Sequence, residues 1–179
     1  VIDLPGCGFS DKSTIDYSIY MYALAVNDFV KNRILRHHDT ATGMHAAAIS
    51  TSSAILICAA LTAPKLYSGL SFINPQAMET TYCNPSTKPV FAKCIRAVYN
   101  TPVIGSFMYN LKYNRAAIMD RLSKVSGLEV AQKNELADSM YEAAHTGGYY
   151  GRFLLASIHG NLLNSDIARM LSKLSTPIL

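Results

Sequence analysis

Tryptophan is absent from the 179 residues, and charged side chains make up only 16% of them. No five basic residues run together, so the net charge of +4 forms no patch for nucleic acid. The four cysteines (Cys7, Cys58, Cys83, Cys94) share no short spacing of the kind that holds zinc, and no metal is expected. Nor do they read as a disulfide scaffold, which points to a reducing compartment and so to the cytoplasm. Cys58 lies inside an apolar run and reads as a buried free thiol. Gly6 and Gly8 make a G-x-G, but no further x-x-G follows, so a dinucleotide cofactor is rejected and no other cofactor is implied. There is no internal repeat and no low-complexity tract. What is present is apolar: 50% of the residues are hydrophobic, which excludes disorder and supplies a domain-sized core.

Hydrophobic spacing gives a coarse order of elements. Residues 1–3 read as a strand, and 4–15 as a Gly/Pro/Ser-rich loop whose turn Asp3 can bind. Asp16 or Ser18 can cap a helix to about Arg36, with Ile19, Ala23, Val26, Val30 and Ile34 on one stripe. A strand is expected over 45–50, a buried helix over 53–61 and a second strand over 69–73, stopped by Asn74-Pro75. From 90 to 163 the pattern is helical throughout, with segments at 89–99, 102–112, 114–124, 129–144 and 149–160. A last helix capped by Asn164 or Ser165 leads to a terminal strand over 176–179. Strands alternating with helices imply an α/β fold with parallel pairing. The helical block reads as an insertion over the carboxyl edge of that sheet. The expected division is a core of residues 1–75 and 164–179 with an inserted block of 76–163. Both ends read as cut inside secondary structure, so the chain reads as a fragment.

The stretch 44–61, MHAAAISTSSAILICAAL, carries the chemistry. An apolar strand meets five small residues, and a helix starts at once. Such a junction forces its turn residue into a strained conformation, and the neighbours two before and two after must be small. That is the logic of the nucleophile elbow, G-x-S-x-G. The frame adopted is Ser50-x-Ser52-x-Ala54, with Ser52 as nucleophile, Ser50 and Ala54 as the small residues, and the backbone amide of Ser53 as oxyanion donor. Ser52 as a plain helix cap is the structural alternative.

The flanks bear on this choice. The opening DLPGCGFSDKS resembles the strand-end motif D-x-P-G-x-G-x-S of α/β-hydrolase-fold proteins. APKLYSGLSFINP resembles the family's next helix end and strand, and YEAAHTGGYYGRFLLASIHGNLLN resembles a lid returning to the sheet. The resemblance implies a partial parallel sheet with a helical lid inserted between two strands. It implies a serine hydrolase acting on an ester, amide or thioester. The apolar faces of the helical block suggest a hydrophobic small-molecule substrate, and the scattered charge and the Ser/Thr cluster within 44–63 leave neither nucleic acid nor membrane expected as partner. It also implies that the oxyanion loop belongs before Val1, and the acid and histidine after Leu179, leaving the fragment inactive alone.

His37-His38 follow a helix end, where imidazolium suits the helix dipole. His45 starts the nucleophile strand, and His159 reads as a helix-surface residue. His145, before Thr146-Gly147-Gly148, and Tyr149 are the candidates for the lid and pocket, with packing as the competing role. Two rival classes remain. One is a non-catalytic hydrolase-fold binding module, kept by the missing elbow glycines. The other is a membrane span over 44–63, which contains no Asp, Glu, Lys or Arg.

Overall fold

The structure is a computed structural model that describes residues 1–36, 43–76 and 89–178. It divides into two compact units: one of residues 17–86 and 161–179, the other of residues 1–16 and 87–160.

The first unit holds the sheet. Strand β1 (Met44–Ile49) pairs in parallel with β2 (Tyr67–Ile73), Ala46 opposite Leu70 and Ile49 opposite Ile73. Parallel pairing demands a crossover, and helix α2 (Ser52–Thr62) supplies it. Eight consecutive residues of α2, Ser53 to Ala60, are buried, as a helix apolar on every side requires. The terminal strand survives as a parallel bridge from Ile178 to Leu70, with the Leu70 amide donating to the Pro177 carbonyl at 2.9 Å. Leu179 lies outside the described residues. Leu70 therefore sits in mid-sheet between two neighbours and is fully buried.

Helix α1 (Ile19–Phe29) packs on α2 and runs on as a π-helical stretch over Val30–Leu35. Ser18 is the cap, its hydroxyl accepting from the Met21 amide at 3.2 Å. The buried polar centre of this unit is Asn27. Its amide nitrogen donates to the Ala59 carbonyl (3.0 Å) and the Thr62 hydroxyl (2.9 Å), and its oxygen accepts from the Tyr67 hydroxyl (2.7 Å). Burial pushes the Tyr67 phenol up to about 12. Asn27→Leu strands that buried hydroxyl, at a cost of about 1–3 kcal/mol. A fall in the urea midpoint is expected, partly recovered by adding Tyr67→Phe, which removes the orphaned group.

Helix α8 (Ile167–Leu171) is capped by Asp166, whose carboxylate accepts from the Arg169 amide at 3.0 Å, not by Asn164 or Ser165. The window 44–63 is thus strand, turn and helix rather than a membrane span. Among the described residues, no helix is long and apolar enough to cross a membrane.

The second unit is helical: α3 (Pro89–Asn100), α4 (Pro102–Tyr113), α5 (Arg115–Ser123), α6 (Val130–His145) and α7 (Gly151–His159). Asn114 caps α5 through the Ala117 amide at 2.8 Å. Helices α5 and α6 close around Ile118, Leu122 and Ala137. Helix α7 packs on α3 and α4. Gly147 and Gly148 both have φ near 78°, the left-handed turn that ends α6 and lets α7 start.

Residues 1–3 are not a strand. The Asp3 carboxylate accepts from the Phe9 amide at 3.0 Å, and the Asp3 carbonyl accepts from the Ser10 hydroxyl at 2.7 Å. The segment is drawn into the turn that follows it. The expected binding of that turn by Asp3 is what occurs, and Gly8 (φ 51°) leaves the carboxylate its room.

Candidate functional site

The β1–α2 junction is where local physics is least ordinary. Ser50 has φ 56°, in the left-handed region that a side chain rarely occupies. Such a conformation costs on the order of 1–3 kcal/mol and persists where its surroundings enforce it. Here they do. The Ser50 amide donates to the Ile73 carbonyl at 2.9 Å, and the Ser50 carbonyl accepts from the Ser53 amide (3.1 Å) and the Gln76 amide (3.2 Å). The turn is tied to the end of β2 on one side and to the first turn of α2 on the other.

This moves the frame by two residues. Ser52 was expected in the strained conformation, but it is the first residue of α2 and its φ is not positive. Its hydroxyl donates to the Ile49 carbonyl at 2.7 Å and accepts from the Ile49 amide at 3.2 Å, clamping the strand end to the helix start. Ser52 is a staple of the turn, made so by its place two residues past the bend. Ser53 changes role for the same reason. Its amide is occupied by the Ser50 carbonyl, so it is not free to face an oxyanion. The residue directly after the strained one is Thr51, whose N–H has no acceptor among the described residues. The small neighbours of the bend are Ala48, buried, and Ser52, half-buried. Ser50 is the bend rather than a spacer, and Ala54, fully buried, belongs to the body of α2.

Two residues at this edge were not singled out from the sequence. Asn74, just past β2, is also left-handed (φ 47°). Gln76 receives the Ser50 hydroxyl on its Oε1 at 3.2 Å. Adjacent parallel strands therefore end side by side, each in a strained polar residue, at the carboxyl edge where open α/β sheets bind ligands. Asn74-Pro75 was read only as the stop of a strand.

In the helical unit the structure brings His145 and Tyr149 together, rings edge to face at 6.2 Å. The His145 ring also lies 4.2 Å from that of Tyr141. Its Nδ1 sits 2.8 Å from the Tyr141 carbonyl and its Nε2 3.2 Å from Asn110 Oδ1. His159, expected on a helix surface, is buried at 6% exposure. His45 is exposed and bonds Ser71 Oγ at 2.9 Å. His37 and His38 lie outside the described residues, as does Cys83; Cys58 is a buried free thiol, as expected. No cluster of three metal-ligating side chains occurs among the described residues.

No family model and no curated protein matches this chain. Solved structures do. A mutant form of DbjA aligns at 18% identity with a TM-score of 0.52, over 97% of this chain and 56% of that one. An ancestral haloalkane dehalogenase aligns at 18% identity and 0.51, again over 97% and 56%. A second DbjA structure gives 17% identity and 0.51, over 97% and 57%. The chain thus spans a little over half the length of the structures it matches. With its parallel pair crossed over by a buried helix, and with helices filling the interval before the strand at Ile178, this chain has a partial α/β-hydrolase fold.

Proposed function

We propose that this chain carries the nucleophile turn of a hydrolase, with Ser50 as the attacking hydroxyl and the Thr51 amide as an oxyanion donor. The observation that carries the reading is the enforced left-handed conformation of Ser50 between a parallel strand and a buried helix. The Thr51 amide, next in sequence at the head of α2 and without an acceptor among the described residues, supports its reading as the oxyanion donor.

The residue at the bend also bears on the bond attacked. Two of the structural neighbours are named by the scaffold DbjA and one as a haloalkane dehalogenase. A serine that displaced halide from a carbon chain would be left as an ether, which water does not release. A serine that attacks an acyl carbon is left as an ester, which water can hydrolyse. A hydroxyl at this position therefore favours esters, amides or thioesters over haloalkanes. The helical unit is kept as the lid, with His145 and Tyr149 as its candidate substrate contacts. The apolar stripe Val103, Phe107 and Leu111, exposed on α4, supports a hydrophobic substrate.

Turnover needs a base at Ser50 Oγ. In the unit that holds Ser50, the described histidine is His45, five residues back along β1 and so about 16 Å away. It is too far to serve. A second reading, the non-catalytic binding module, has its own support in the Ser50–Gln76 hydrogen bond, because an amide oxygen cannot take up the serine proton.

The test is to treat the full-length protein with a fluorophosphonate and locate the adduct by peptide mass spectrometry. Modification at Ser50 supports the hydrolase. An unmodified Ser50 in a folded protein that still binds acyl ligands supports the binding module, and an adduct on Ser52 overturns the assignment of the bend.

A further inference from the structure

The helical unit contains a contact that the proposed chemistry does not use. His159, the last residue of α7, is 6% exposed. Its ring stacks on Tyr99 of α3, with centroids 5.1 Å apart and planes within 13°. Its Nε2 lies 3.2 Å from the Nζ of Lys112 on α4. A lysine ammonium can only donate, so Nε2 must be the acceptor and the imidazole is neutral with its proton on Nδ1. One side chain thus links the three helices α3, α4 and α7 through a lone pair that a proton can take.

We propose that the His159–Lys112 contact is an acid-released latch of the helical unit: protonating His159 abolishes the acceptor, sets two cations 3.2 Å apart, and frees the end of α7 from α4. The charged and titratable groups around the ring come from both helices packed on α7. From α4 comes Lys112. From α3 come Tyr99 and Arg96, the latter reaching the turn at Gly160 and held by Asp16 at 3.1 Å. Neither α3 nor α4 contains an Asp or Glu, and the Lys112 charge bears on His159. Arg121 adds further positive charge, its Nη2 donating to the Lys112 carbonyl at 2.9 Å.

Burial first, and then the Lys112 charge, hold the His159 imidazole below its ordinary value. The sign follows from linkage. A histidine depressed in the folded state contributes stability that is fully present above its unfolded value, near 6.5, and is lost as pH falls below it. One such proton can weaken the closed state by up to about tenfold per pH unit in that window. The latch does not depend on the hydrolase reading, because its readout is the opening of helices and not turnover.

The experiment is amide hydrogen exchange on the full-length protein at pH 7.5 and pH 5.0, corrected for intrinsic rates. The α7 and α4 amides should lose protection at the lower pH by about tenfold relative to those of α6. His159→Gln keeps an acceptor for Lys112 that cannot be protonated at these pH values, and should flatten this difference. Lys112→Met keeps the aliphatic stem, removes the second cation and should shrink the loss. It also serves if His159→Gln does not fold. Equal loss of protection in wild type and Lys112→Met, or no loss in wild type, overturns the latch.

Discussion

Ser50→Ala should abolish fluorophosphonate labelling of the full-length protein and lower kcat by about 10⁶-fold, the scale seen when a nucleophile is removed from a serine hydrolase. The side chain removed is half-buried and makes one hydrogen bond, to Gln76, at an exposed edge, so the fold should survive. Alanine in a left-handed conformation loses little relative to serine, and the three backbone hydrogen bonds that hold residue 50 are untouched. Ser52→Ala should do the reverse. It removes the clamp on the Ile49 backbone and so costs about 1 kcal/mol of stability, while labelling at Ser50 persists. The pair is read by mass spectrometry for the adduct and by urea titration for stability. If Ser52→Ala abolishes labelling at full stability and Ser50→Ala does not, the bend has been assigned to the wrong serine.

The second large effect is expected at Gly105 on α4. A Cβ built there would lie 1.9 Å from the carbonyl oxygen of Tyr99 and 2.7 Å from its carbon. Both atoms are backbone at the end of α3, and neither can swing aside. Gly105→Ala therefore pushes α3 and α4 apart at their joint, with a cost of about 3 kcal/mol or more. Gly127 is the control. It is left-handed (φ 85°) with open space around it, so Gly127→Ala meets only backbone strain, about 1 kcal/mol. Circular dichroism and urea unfolding of the two variants should separate steric exclusion from conformational strain. Equal destabilisation would mean that α3 and α4 are not packed as closely as Gly105 requires.

Sequence by itself determined the elements and their class. The helical stripe from Ile19, the unbroken apolar run through Cys58 and the strand read at 69–73, which the structure extends back to Tyr67, follow from local backbone geometry, so they are visible without a partner. The parallel pairing of β1 and β2 followed from a buried helix lying between them, because so short a strand–helix–strand interval has few other ways to close. The presence of a strained turn at residues 50–54 was legible from its small side chains. Which serine bends was not. Serines at 50, 52 and 53 all satisfy the size requirement, and the choice is made by hydrogen bonds from β2 and Gln76, more than 20 residues away. The same holds for residues 1–3, read as a strand running into a turn, where Asp3 instead accepts from the Phe9 amide of that turn. His159 read as a helix-surface residue, and its burial comes with the stacking of Tyr99 and the approach of Lys112, neither near it in sequence. Periodicity is a local property of the chain. The strain at a bend, the partner of a carboxylate and the burial of a ring are set by neighbours distant in sequence, and only the tertiary structure brings those together.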